Sequence, residues 1–182
     1  MKIILSIFLA AICSTLSFSQ TSEINIIPKP ASVVRKDGNF IVDRSTRIVL
    51  ENQDDMKLAK LLNAYLQSNF GFELKTAAMA SKKPAIIFSR PDDYAIVNDG
   101  YVITNQNQHL FLEAATPAGR FYALQSLLQL VQKSGDQIVI PNATINDSAR
   151  FRYRGMHLDV SRHFFPVEFV KKYIWAPASG HR

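Results

Sequence analysis

A change of apolar period that occurs twice along residues 24–147 constrains the fold more than any other feature. From Asn52 onward, Met56, Ala59, Leu62 and Leu66 recur at three- and four-residue spacing, with Leu61 and Tyr65 beside them. That spacing predicts an amphipathic helix. Asn52 is its expected N-cap, Asp54 and Asp55 suit the positive end of the helix dipole, and Gly71 is the expected stop. In the second helical run Phe121, Leu124, Leu128 and Val131 share a face, with Leu127 beside them. Thr116 is placed to cap it, Pro117 sits where a missing N–H costs nothing, and Gly135 is its expected close.

Strand-like runs surround both helices. Ile24–Ile27 leads into Pro28-Lys29-Pro30, an edge or entry segment because proline cannot donate to a central ladder. An Asp37-Gly38 turn signal separates Val33-Val34 from Phe40-Ile41-Val42, and Arg47–Leu50 has β-branched content. Ala85–Phe88 reads as a short buried strand, and Gly100–Thr104 and His109–Glu113 as a hairpin around Asn105–Gln108. Gln137–Ile140 gives one more strand before Pro141. The order is strands, helix, strands, helix, strand, without the alternation of a doubly wound sheet. It predicts an α+β domain: an antiparallel or mixed sheet with two helices packed on one face. Residues 24–147 are long enough to complete a small domain.

Residues 1–19 stand apart as a signal peptide. Lys2 supplies a positive start, Ile3–Leu16 is apolar apart from Ser6, Ser14 and Thr15, and Ser17 and Ser19 are the small residues cleavage before Gln20 needs. The apolar run is shorter than the roughly 18–20 residues of a membrane-spanning helix. Export to the periplasm or exterior, with no membrane anchor after cleavage, is therefore expected. Ile12 before Cys13 does not suit a lipidation site, and the only cysteine leaves with the peptide.

Apolar residues are 47% and charged residues 20% of the chain, enough to build a normal core. The net charge of +6 becomes +5 without Lys2, but the basic residues are scattered. A solvated surface accounts for them better than a nucleic-acid interface does. There is no Gly-rich phosphate loop and no nucleophile elbow, and His109 and His181 lack spaced partners, so no zinc site is expected.

Residues 152–166 read as the opening strand and loop of a larger domain. Met156, Leu158 and Val160 share one strand face; His157 and Asp159 share the other. Only residues 167–182 follow, whereas a parallel barrel needs about 200 residues or more. The stretch Trp175–Arg182 is expected to interrupt the next helix at Pro177 and Gly180.

Three ordered stretches carry a resemblance: Ile26-Ile27-Pro28-Lys29-Pro30, Gly100-Tyr101, and Glu113 through Leu130 with its Thr116-Pro117-Ala118-Gly119-Arg120 start. They resemble the non-catalytic N-terminal domain of β-N-acetylhexosaminidases of glycoside hydrolase family 20. Phe151–Tyr173 resembles the start of that family's catalytic (β/α)₈ barrel. After the signal peptide at 1–19, the resemblance implies an accessory domain at 20–147 and the start of the barrel, with its first strand, at 148–174; the tail at 175–182 diverges from the family pattern. It implies removal of terminal non-reducing N-acetylglucosamine or N-acetylgalactosamine from glycans. The mechanism would be substrate-assisted: the acetamide oxygen attacks the anomeric carbon, an Asp orients the acetamide and the adjacent Glu protonates the leaving oxygen. No Asp-Glu pair occurs in this sequence. The expectation is a polypeptide that is catalytically incomplete on its own, as from a shifted or shortened reading frame. The alternative is an exported, non-catalytic domain that binds glycans or a partner.

By the same resemblance Arg154 occupies the place of an arginine that grips ring hydroxyls, and a planar fork of donors suits two vicinal hydroxyls. The competing role is a surface ion pair. Asp159, Arg162 and His163 fall at the C-terminal end of the expected strand, where barrel active sites form. They would either shape the floor of a sugar pocket or fix the first loop through a buried ion pair or hydrogen-bond network. No residue is assigned as the catalytic acid or nucleophile, and no metal ligand is assigned.

Overall fold

The computed structural model describes residues 24–80, 82–91, 99–151, 153, 155 and 157–179. Eight strands form one mixed sheet: β1 (Ser32–Val42), β2 (Arg47–Leu50), β3 (Lys75–Ala77), β4 (Ala85–Ser89), β5 (Tyr101–Gln106), β6 (His109–Glu113), β7 (Gln132–Ser134) and β8 (Gln137–Asp147). The helices are α1 (Met56–Phe70), α2 (Pro117–Leu130) and α3 (Val167–Ser179). The sheet order is β1-β8-β5-β6-β4-β2-β3, with β7 paired to β8. Pairing is antiparallel from β1 to β6 and parallel among β6, β4, β2 and β3. The expected α+β class, mixed sheet and pair of helices on one face are all present.

Strand alternation explains how the helices are held. Ile48, Ile86, Phe88, Leu110 and Leu112 share one apolar cluster with Leu58, Leu62 and Leu66 of α1 and Ala123, Leu124 and Leu127 of α2. Their strand neighbours Val49, Ala85 and Ile87 form a second, smaller cluster with Ala77 and Phe111 on the opposite face. Neither cluster contains a residue beyond Ile145.

Helix boundaries follow the caps. Asn52 Oδ1 accepts from Asp54 N at 3.0 Å and opens a short 3₁₀ turn, Gln53–Asp55, ahead of α1. Gly71 ends α1 at φ 73°, a left-handed conformation that glycine adopts without a side-chain penalty. Thr116 Oγ1 accepts from Gly119 N at 3.0 Å and Pro117 takes the first helical position.

Four local expectations differ from the structure. Asp37-Gly38 is not a hairpin turn: β1 runs straight through as one strand, with a register shift between Arg35 and Asn39. Gly38 at φ 81° accommodates the bulge, and Asn142 Nδ2 donates to the Asp37 carbonyl at 2.9 Å. Pro141 does not end β8. On that side the β7 ladder stops at Val139 and the β5 ladder starts at Thr144, so no partner there needs the missing N–H. Gly135 does not close α2, which ends at Leu130; Gly135 instead turns the short β7–β8 hairpin. Lastly, α3 continues through Pro177 to Ser179 without the expected interruption. A proline in the last turn removes only one donor near a helix end. Gly180 lies outside the described residues.

Candidate functional site

Two polar systems stand out, one at the junction of the two domain helices and one after residue 150. At the junction, Arg120 is 1% exposed on the first turn of α2. Its Nε lies 2.9 Å from Asp55 Oδ1 and 2.8 Å from Oδ2, and its Nη1 donates to the Ala114 carbonyl at 3.1 Å. Asp55 is itself 4% exposed where α1 begins. One guanidinium therefore ties together the end of β6 and the starts of both helices. A cleft of about 260 Å³ beside it is lined by Glu51, Asn52, Ser89 and Arg90 as well as this pair.

Gly119 explains why α2 can sit so close. A Cβ there would fall 2.6 Å from the Gly100 carbonyl oxygen and 2.9 Å from Ala114 Cβ. Deeper along α2, Tyr101 Oη lies 2.5 Å from Ser126 Oγ and donates to Asp147 Oδ2 at 3.3 Å. Burial pushes the Tyr101 phenol well above its ordinary pKa, so it stays a neutral donor. Gln129 clamps the entry segment, donating to the Ile27 carbonyl at 3.1 Å and accepting from Ile27 N at 3.0 Å.

The sequence singles out Arg120 only within a motif and Asp55 only as a helix-dipole acid. An arginine directly flanking the apolar run Phe121, Leu124 and Leu127 was the available signal, because a cation on a core-facing stripe requires a buried partner.

The second system contains the residues selected from sequence. Arg154, the expected sugar contact, lies outside the described residues, as does Met156. Asp159 and Arg162 are brought together: Arg162 Nε pairs with Asp159 Oδ2, while Asp159 Oδ1 accepts from Ser161 N at 2.9 Å and Arg162 N at 3.2 Å. The pair lies on the surface and not buried as expected, with the Arg162 side chain 84% exposed, because no further element packs over this loop among the described residues. The Arg162 side chain, helped by the backbone N–H groups of Arg162 and Ser161, holds Asp159 below the usual carboxylate range. Asp159 is thus an ionised, hydrogen-bonded acceptor that shapes its loop. His163 is exposed on the same loop.

Residues 157–160 lie outside any strand ladder, where alternation predicts a strand. A strand persists only through a paired neighbour, and the segment pairs with none of the described strands. It is held instead from α3: Tyr173 Oη donates to the His157 carbonyl at 3.0 Å. Phe165 stacks on Phe169 at 4.6 Å between centroids, and Phe169 faces Tyr173 at 6.4 Å. Phe151, Val160, Phe164 and Ile174 are all more than half exposed.

The structure is an α+β domain followed by a loop and a helix, and comparison with known proteins identifies the family. The model of glycosyl hydrolase family 20, domain 2, matches residues 23–148, and the catalytic-domain model of the same family matches residues 151–179. The chain belongs to glycosyl hydrolase family 20. It is 29% identical to a β-hexosaminidase of Vibrio furnissii over 88% of this chain and 25% of that protein. It is 30% identical to a β-hexosaminidase of Porphyromonas gingivalis over 92% of this chain and 24% of that protein. The solved family 20 β-N-acetylhexosaminidase of Streptomyces coelicolor superposes with a TM-score of 0.70 at 27% identity, covering 86% of this chain and 33% of that one. The chain spans about a quarter of the length of these two curated relatives.

Proposed function

We propose that this chain supplies the accessory domain, residues 20–147, and the first barrel segment of an exported exo-β-N-acetylhexosaminidase. The substrate is a glycan ending in N-acetylglucosamine or N-acetylgalactosamine, and hydrolysis is substrate-assisted, with no metal or organic cofactor. The observation that carries this reading is that two models of one family match in order, 23–148 and then 151–179.

In this reading Arg154 forks onto two ring hydroxyls, while the Asp159–Arg162 pair and His163 shape the loop beneath the sugar. Residues 1–19 are removed after Ser19, leaving a mature chain that begins at Gln20. The partly exposed aromatic row Phe165, Phe169 and Tyr173 and the side chains of 157–160 face neighbouring barrel elements. Acid–base chemistry comes from an Asp-Glu pair that these 182 residues do not contain, so the polypeptide alone does not turn over substrate.

The purified chain assayed with para-nitrophenyl N-acetyl-β-glucosaminide is expected to release no nitrophenol under conditions where the Porphyromonas relative does. Sustained release that copurifies with the chain would overturn the proposed division of labour.

A further inference from the structure

The basic residues are scattered along the sequence, but the fold gathers five of them at one end of the parallel strands. Arg47 and Lys75 are partners in the parallel β2–β3 register, so both side chains stand on the sheet face opposite to core residue Ile48. Arg47 N donates to the Pro84 carbonyl at 2.9 Å, which brings Lys82 and Lys83 to the same end. Arg44 joins them from the turn before β2, its guanidinium 5.7 Å from the centre of the Phe72 ring just ahead of β3. Arg44, Lys75, Lys82 and Lys83 are exposed.

Little neutralises this cluster. Its segments, 43–47, 72–75 and 82–84, contain two acids, Asp43 and Glu73. Asp43 Oδ1 is taken up by its own turn, accepting from Ser45 N at 2.7 Å and Thr46 N at 3.1 Å. Among the described residues no salt bridge joins a carboxylate to Arg44, Arg47, Lys75 or Lys82. Like charges side by side on neighbouring strands weaken a sheet. The Arg47–Lys75 pairing therefore costs stability that a bound polyanion would restore. Acids lie at the other end of the same strands, where Glu51 and Asp54 follow β2 and Asp99 precedes β5.

The cationic end also points away from the segment after residue 150. The end of β8, at Asp147, pairs with Tyr101 at the start of β5, whereas Arg47 lies level with Gln106 at its finish. The chain thus leaves the sheet at the opposite end. We infer that the cationic end is a docking surface for an acidic glycan, one whose successive sugars carry carboxylate or sulfate groups. Anionic groups repeated along a chain match cations spread over three segments. None of these segments exposes a large apolar side chain for a membrane to bury. The surface stands on its own geometry; only the choice of a glycan as the polyanion rests on the hydrolase reading.

The test is calorimetric titration of the purified full chain with heparin and with phosphatidylglycerol vesicles. Heparin is expected to bind with an affinity that falls as salt is raised, and the vesicles to bind at least about tenfold more weakly. Lys75→Gln with Lys82→Gln should weaken heparin binding about fivefold for each charge removed, roughly 25-fold together. Lys57→Gln with Lys60→Gln, exposed positions at the start of α1, removes the same net charge and should leave the affinity within about twofold. Circular dichroism reports whether each variant is folded. Binding is read without turnover, so its loss and a failure of the hydrolase reading appear in different assays. The inference is overturned if the folded wild-type chain does not bind heparin, if the Lys57 and Lys60 variant loses as much affinity as the Lys75 and Lys82 variant, or if the vesicles bind as tightly as heparin.

Discussion

At the residue scale, the most consequential side chain is Arg120. Removing one member of a buried ion pair strands the other in an apolar setting, at a cost of about 3–5 kcal/mol. Arg120→Ala leaves Asp55 in that position and also frees the Ala114 carbonyl. Urea unfolding of Arg120→Ala is expected to show a loss of about that size, and Arg120→Met with Asp55→Leu to recover part of it. A single variant with unchanged stability would contradict the structural role. Asp159 represents the opposite regime. Its pKa is depressed in the fold, so its interaction with Arg162 is present above the ordinary carboxylate range and is lost as pH falls through the lowered value. A ¹³C titration of the Asp159 carboxyl is expected to give a midpoint below about 3.9. Arg162→Ala should move that midpoint upward, and equal midpoints in both proteins would remove the assigned cause.

At the element scale, what was legible depended on whether the determinant is local. Caps are local: Asn52, Thr116-Pro117 and Gly71 mark helix ends in the sequence and do so in the structure. Apolar periodicity is local too, and it gave both domain helices. On α2, however, the buried face centres on Ala123, Leu124 and Leu127, with Phe121 and Leu128 at its margins. Pairing partners are not local. Asp37-Gly38 has the composition of a turn, yet β8 pairs along both sides of it and makes it a bulge. The three-residue strands β3 and β7 carry no periodic signal and exist through their neighbours. The buried Arg120–Asp55 pair spans 65 residues and is invisible to any window of sequence. Close approach is likewise a tertiary fact. Gly119→Ala is expected to cost about 1–3 kcal/mol by forcing α2 off the Gly100 carbonyl. Thermal unfolding measures it, and a variant as stable as the parent would show that the contact relaxes freely.

At the scale of the whole molecule, the two matched regions differ in what holds them. Residues 24–147 close both apolar clusters within themselves and carry every strand of the sheet. Residues 157–179 carry a partly exposed aromatic row, a surface ion pair and a segment that alternates like a strand without a ladder. Family membership was readable from ordered motifs because those motifs coincide with the helix cap, the close glycine and the buried arginine that the domain requires. The proposed sugar-contact residue is a different matter, since a binding arginine is defined by the pocket around it.

The central proposal is that this chain forms the front of a hexosaminidase. A chimera joining residues 24–179 to the remaining barrel of the Porphyromonas relative tests it most directly. The account predicts hydrolysis of para-nitrophenyl N-acetyl-β-glucosaminide by the chimera. It also predicts a fall in kcat/KM of about 10- to 100-fold in Arg154→Ala, as loss of charged hydrogen bonds implies. A chimera that folds by circular dichroism but does not turn over substrate, or an Arg154→Ala chimera with unchanged kcat/KM, would contradict it.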